Sequence, residues 1–292
     1  MAAYDLKAKI AEAARTGPNM TEANAGGGDY TPPAQGIAQA RFVAYLELGI
    51  HEENDFNNPG QKKDKKKVDL VFELSGPNHA PRKLDDGTLV PIRIMINENL
   101  ALGDKANFFK IFAAMNYAGK ATHMAELLGE AFLVSVYHKK SKDGKKTYAT
   151  LKGSNDTLPV GDGYRITGPQ YDDPMSGKRV PVAVAPAITD LKAFIWENAD
   201  KEMWDSLYIE GEYPERKDEK TGAVTSPAKS KNVIQNKIRS AKNWGTHSLS
   251  AIVAAGGAQP DLPDAENPDR LPGEDDEAPW TDAAADPLAA IG

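Results

Sequence analysis

Alternation is the feature that most limits what this chain can fold into. Three runs, Ile37–Ile50 (IAQARFVAYLELGI), Val68–Leu74 (VDLVFEL) and Val90–Ile96 (VPIRIMI), carry apolar residues at nearly every second position, the third behind a turn signal at Asp85–Gly87. A strand sends successive side chains to opposite faces, so this spacing describes strands with one face in a core. The period then changes to that of a helix. Phe108, Ile111, Phe112 and Met115 form an apolar stripe, with Asp104 as the expected N-cap and a further helical turn over Met124–Leu128. Alternation returns in Phe132–His138 and Lys146–Leu151, which flank Asp143-Gly144, a two-residue hairpin turn signal.

Three strands, a helix and two strands is the order of the oligonucleotide-binding (OB) fold, a five-stranded Greek-key barrel with its helix between strands three and four. The expected class is therefore mainly β with helices (α+β), and the OB core spans residues 37–185. Its last part is Gly/Pro-rich with a weak strand at Val180–Val184. Residues 1–36 read as an arm, with a short helix-like segment (Leu6, Ile10, Ala13, Ala14) and the breaker-rich GGGDYTPPAQG. Residues 186–255 read as helical, over Ile188–Asn198, Lys201–Tyr208 and Lys229–Trp244. Residues 256–292, rich in Pro, Asp, Glu and Ala, bury too little apolar surface to offset chain entropy and are expected to be disordered.

Charge divides along the same lines. The net charge of -7 conceals a tail from Gly256 with ten Asp and Glu against Arg270 alone, so residues 1–255 are slightly basic. The chain has no cysteine, which excludes disulfides, thiol nucleophiles and thiolate metal sites and fits a reducing cytoplasm. No apolar run reaches 18 residues, and the opening MAAYDLKAKIAEAARTG has no apolar signal-peptide core, so no membrane association is expected.

Strict alternation assigns the faces. Phe42, Leu46 and Leu48 share one side of the first strand, and Arg41, Val43 and Tyr45 take the other. Arg93 and Met95 point outward from the third strand, Tyr137 from the fourth, and Lys146, Tyr148 and Thr150 from the fifth. The Asp143-Gly144 turn sets Tyr137 opposite Thr150 and Lys139 opposite Tyr148. An outer face carrying Arg41, Tyr45, Arg93, Tyr137, Lys146 and Tyr148 interleaves aromatic platforms with cations, the chemistry of a sequence-tolerant single-strand binder. Two lysine clusters rim that face: Lys62, Lys63, Lys65, Lys66 and Lys67 in the loop between strands one and two, and Lys139, Lys140, Lys142, Lys145 and Lys146 around the hairpin turn. A third patch, Lys229, Lys231, Lys237, Arg239 and Lys242, extends the path or meets a neighbouring protomer.

Enzyme signals are poor. GxxxxGK[ST], HExxH and GxSxG are absent, and His51, His79, His123, His138 and His247 lack ligand spacing. Asp172-Asp173, Glu202/Asp205 and Pro214-Glu215-Arg216-Lys217 read as ordinary surface sequence, and no cofactor or metal is expected.

GGGDYTPPAQGIAQARFVAYLELGIHEE and NFFKIFAAMNYAGKATHMAELLGEAFLVSVYH together resemble the single-stranded DNA-binding proteins of tailed bacteriophages. GEDDEAPW is similar to the acidic-Pro-aromatic tip with which cellular single-strand binders recruit partners, although twelve residues follow Trp280 here. The resemblance implies a non-enzymatic protein that coats single-stranded DNA during replication or recombination in the infected bacterium's cytoplasm. In that setting Asp275, Asp276, Glu277 and Trp280 contact partners such as DNA polymerase or RNA polymerase. A disordered polyanion also competes with DNA for the lysines. Two other readings stand beside it: a virion or interaction protein using the outer tyrosines as an interface, and a nuclease using the carboxylates.

Overall fold

The computed structural model describes residues 31–255, apart from 56, 57, 59, 85, 86, 142, 143, 145, 155–162, 218–221 and 223. The expected N-terminal helix, most of the glycine-rich arm and the acidic tail lie outside these residues.

All five expected strands are present: β1 (Gly36–Asn54), β2 (Lys62–Ser75), β3 (Ile92–Asn99), β4 (Ala131–Lys140) and β5 (Thr147–Thr150). Of the short strands that follow, two join the main sheet: β6 (Ile166–Thr167) and β7 (Lys192–Phe194). The main sheet runs β6-β4-β1-β2-β3, with β5 antiparallel on β4 and β7 parallel on β1. The protein is thus mainly β with a few helices, built on one large, largely antiparallel sheet. Among the described residues no ladder joins β3 to β5, and the sheet does not close into a barrel.

Helix α1 (Asn107–Met115) buries Phe108, Ile111 and Met115, and a 3-10 turn at Met124–Leu127 buries Met124 and Leu127. These residues seal a core made by Val68, Leu70, Phe72 and Leu74 of β2, Ile94 and Ile96 of β3, and Phe132, Val134 and Val136 of β4. The N-cap of α1 is Ala106, with no side-chain cap, rather than Asp104. The next turn is capped instead, by His123 Nδ1 accepting from the Ala125 amide and Glu126 accepting from the His123 amide.

One feature of β1 escapes strict alternation. Its register against β2 shifts between Phe42 and Ala44, and again between Glu47 and Gly49. An extra residue in one strand inverts the faces beyond it. Tyr45 therefore joins Phe42 in the first core, while Val43, Ala44, Leu46 and Leu48 turn to the opposite side of the sheet.

That opposite side holds a second core. Leu46, Leu48 and Val71 pack against Phe194, Leu207, Ile209 and residues of α2 (Lys201–Ser206), α3 (Val233–Arg239) and α4 (Ser248–Ala255). Trp204 stacks on Trp244 at 5.0 Å between ring centroids, and Trp196 meets His247 edge-on at 4.6 Å. Each such pair adds about 0.5–1.5 kcal/mol beyond its buried area. Two expected helices differ. Residues 192–194 are β7 because the edge of β1 at Ala44–Leu46, past the reach of β4, offers them a ladder. The basic helix is confined to Val233–Arg239, since Lys229–Ser230 pairs with Glu212–Tyr213.

Candidate nucleic-acid interface

The residues from about Val184 to Ala255 cover the side of β1, β2 and β3 expected to face solvent, and several polar contacts fasten them there. Arg41 donates to the carbonyls of Gly129, Val184 and Ala185 at 2.7–2.9 Å. Glu73 accepts from the amides of Ile188 and Thr189, both at 2.8 Å. Lys237 donates to Asp69 at 2.9 Å. Lys242 donates to Glu52 and Asp64.

Four of the expected contact residues are withdrawn from the surface. Tyr45 is buried, its hydroxyl donating to Glu47 at 2.7 Å. Burial and the Glu47 carboxylate push its pKa up, so it remains a donor. Arg93 is 4% exposed and stands across the ladder from Glu73. Tyr137 is also 4% exposed, although its pairing with Thr150 is as expected. Arg41 is half-buried, and its guanidinium is engaged by backbone carbonyls. None of the four presents an open surface to a ligand.

The lysine clusters fare differently. Lys62–Lys67 is not a loop: β1 and β2 continue past the core as a two-stranded arm, with Gly49 opposite Lys67 and Asn54 opposite Lys62. Lys62 pairs with Glu52 at 2.9 Å, and Lys67 is half-buried between Glu53 and Asn99, at 3.0 and 3.2 Å. The ammoniums of Lys62 and Lys242 hold the Glu52 carboxyl below its usual range. Among the described residues Lys63, Lys65 and Lys66 carry no ion pair. In the second arm, the hairpin of β4 and β5, Lys139 faces Tyr148 across the ladder, as the turn predicted, and Lys140 and Lys146 are exposed. Tyr148 is half-buried. Lys142 and Lys145 lie outside the described residues, as do Asp275, Asp276, Glu277 and Trp280.

The roots of the two arms meet at the end of β3. The Leu100 amide donates to the Lys66 carbonyl at 2.8 Å, and Lys67 reaches Asn99. On the neighbouring residue, one oxygen of the Glu98 carboxylate accepts from Lys152, Tyr164 and Asn107, at 3.1, 2.8 and 2.9 Å. Lys152, just beyond β5, also lies over the Tyr164 ring at 5.6 Å. Sequence reasoning missed Glu98, Lys152 and Tyr164 because no spacing connects them; each gains its meaning only when β3 and β5 approach.

The third basic patch is drawn largely into contacts within the chain. Lys237 and Lys242 neutralise carboxylates of the sheet, and Lys231 lies over the Tyr213 ring at 5.7 Å. The carboxylate pairs serve local structure: Asp172 pairs with Arg179, Asp173 accepts from Met175 and Ser176, Asp205 pairs with Lys201, and Glu215 pairs with Lys217. Among the described residues no three metal-ligating side chains cluster, and no helix is long and apolar enough to cross a membrane.

Compared with known proteins, the chain matches no protein-family model, and no curated protein is significantly similar to it.

Proposed function

We propose that this chain binds single-stranded DNA without strong sequence preference, through its two lysine-bearing arms and not through the outer face of the sheet. The observation that carries the reading is that the root of the first arm, through Lys66 and Lys67, and Lys152, just beyond the second, meet at Glu98–Leu100; the arms themselves bear Lys63, Lys65, Lys66, Lys139, Lys140, Lys146 and the ring of Tyr148. Ammoniums attract a polyphosphate, and each phosphate neutralised releases counterions, so affinity falls steeply with salt. A half-buried aromatic beside them suits an unpaired base, whose face a duplex hides.

The strand order β3-β2-β1-β4-β5 with α1 between β3 and β4 supports an open variant of the OB topology, its seam bridged by Glu98, Lys152 and Tyr164. On this reading the protein is a non-enzymatic coating factor of phage replication or recombination. Its acidic tail competes for the same lysines and, once released by DNA, recruits partner proteins through Asp275, Asp276, Glu277 and Trp280.

Fluorescence anisotropy of a labelled single strand and its duplex, at low and moderate salt, tests this. The expected result is a preference for the single strand that weakens with salt and strengthens when the chain is truncated after Ala255. Equal affinity for the duplex would overturn the single-strand assignment. Absence of binding to either would favour the interaction-protein reading.

A further inference from the structure

We infer that the solvent face of α1 is a second contact for the same strand, continuing the path away from the arms; this rests on the function proposed above. Residues 101–120 hold Lys105, Lys110 and Lys120 against Asp104 as the sole acid. Among the described residues none of these lysines has an ion pair. Interleaved with them are Phe109 and Tyr117, 39% and 47% exposed, whereas Tyr45 and Tyr137 on the expected binding face are buried.

Helical geometry separates the two faces of α1. Phe108, Ile111 and Met115 enter the core, which leaves Phe109, Lys110 and Ala113 toward solvent. Tyr117 follows Ala113 at the same four-residue interval, just past the helix. Its ring meets Phe132 edge-on at 6.1 Å. A Cβ added at Gly168 would stand 3.1 Å from ring carbons, so the ring rests on backbone there. Held in this way, the ring loses little freedom when a base stacks on it.

Continuity with the arms is direct. Asn107, the first residue of α1, donates to Glu98, the same carboxylate that receives Lys152 and Tyr164 where the arms converge. A strand leaving the arms at that point meets Lys105 next, then Phe109 and Lys110, and then Tyr117 and Lys120. Lysines fit phosphates and exposed rings fit bases, the combination required for single-strand binding without base-specific hydrogen bonds.

The test compares a short oligo(dT) of about 6 nucleotides with a long one of about 24, bracketing the roughly 4–16 nucleotides that one OB fold covers. Anisotropy is measured on the full-length protein and on the Phe109→Ala/Lys110→Gln variant, with folding checked by circular dichroism. Both substituted side chains are exposed. The expected result is an affinity for the long strand lower by about tenfold and a salt slope reduced by about 0.7, with the short strand unchanged. Phe109→Trp should keep the long-strand affinity. An unchanged long-strand affinity, or an equal loss on both lengths, would overturn the second contact while leaving the arms in place. If the wild-type chain bound neither length, the proposed function would fall first and this inference with it.

Discussion

The Tyr164 hydroxyl donates to the Glu98 carboxylate at 2.8 Å, linking the chain beyond β5 to the edge of β3 where, among the described residues, no backbone ladder does so. Burial and the neighbouring carboxylate push the Tyr164 pKa up, so the hydroxyl keeps its proton. A hydrogen bond to a charged group contributes about 1.5–3 kcal/mol. Tyr164→Phe should lower unfolding free energy by about that amount in urea titrations. Glu98→Ala should cost more, since Lys152, Tyr164 and Asn107 then lose their common acceptor. Equal stability of wild type and both variants would show that the seam is not held here.

Gly49 occupies a position that admits no side chain. Its φ is +85°, and a Cβ there would lie 2.4 Å from the Trp196 ring and 2.7 Å from the Ala241 Cβ. Left-handed backbone costs an L-residue about 1–2 kcal/mol, and overpacking adds about 1–3. Gly49→Ala should therefore destabilise by about 2–5 kcal/mol and disturb tryptophan fluorescence. Gly60 has nearly the same φ, +87°, with nothing within 4 Å of its would-be Cβ. Gly60→Ala should show the backbone cost alone, and the difference between the two variants measures the contact with the second core.

How far the sequence could be read follows from the reach of each signal. Alternation located the five strands, and Asp143-Gly144 set Lys139 opposite Tyr148, because both depend on neighbours in the chain. The face of Tyr45 was lost because a bulge leaves no mark in the period of a single strand; only pairing with β2 exposes the shift at Phe42–Ala44. The burial of Arg93 was illegible for a different reason. Its strand was read correctly, but the cover over it arrives from far later in the chain, with Glu73 taking the amides of Ile188 and Thr189. Lysine clusters told least on their own: Lys63 and Lys67 look alike in sequence, yet Glu53 and Asn99 engage Lys67.

That distinction among the cations gives the next prediction. Replacing Lys63, Lys65 and Lys66 together by Gln should weaken single-strand binding and reduce the slope of log affinity against log salt by about 2, near 0.7 per phosphate contact. Stability should change little, since surface substitutions are usually within about 0.5 kcal/mol. Arg41→Ala should behave in the opposite way. It strands the carbonyls of Gly129, Val184 and Ala185, lowering stability while leaving the salt slope intact. A reduced slope in the Arg41 variant, measured where the protein remains folded, would restore that residue to the interface.

His51 makes stability depend on pH near neutrality. Its pKa is lowered, first by burial and then by the ammoniums of Lys237 and Lys67, against opposing contributions from the Leu48 carbonyl and Asp69. The folded chain therefore binds a proton less readily than the unfolded chain, whose histidine titrates near about 6.5. Stability from this site is complete above that value and is lost as pH falls through it toward the lower folded pKa. Urea midpoints should decline as pH is taken from about 7.5 to about 5.5, with the amplitude reduced in His51→Gln. The carboxyl of Glu52 is also held low by Lys62 and Lys242, but its contribution is lost only in the more acidic carboxylate range, so the two are separable. An identical pH profile in the His51 variant would place the sensitivity at another group.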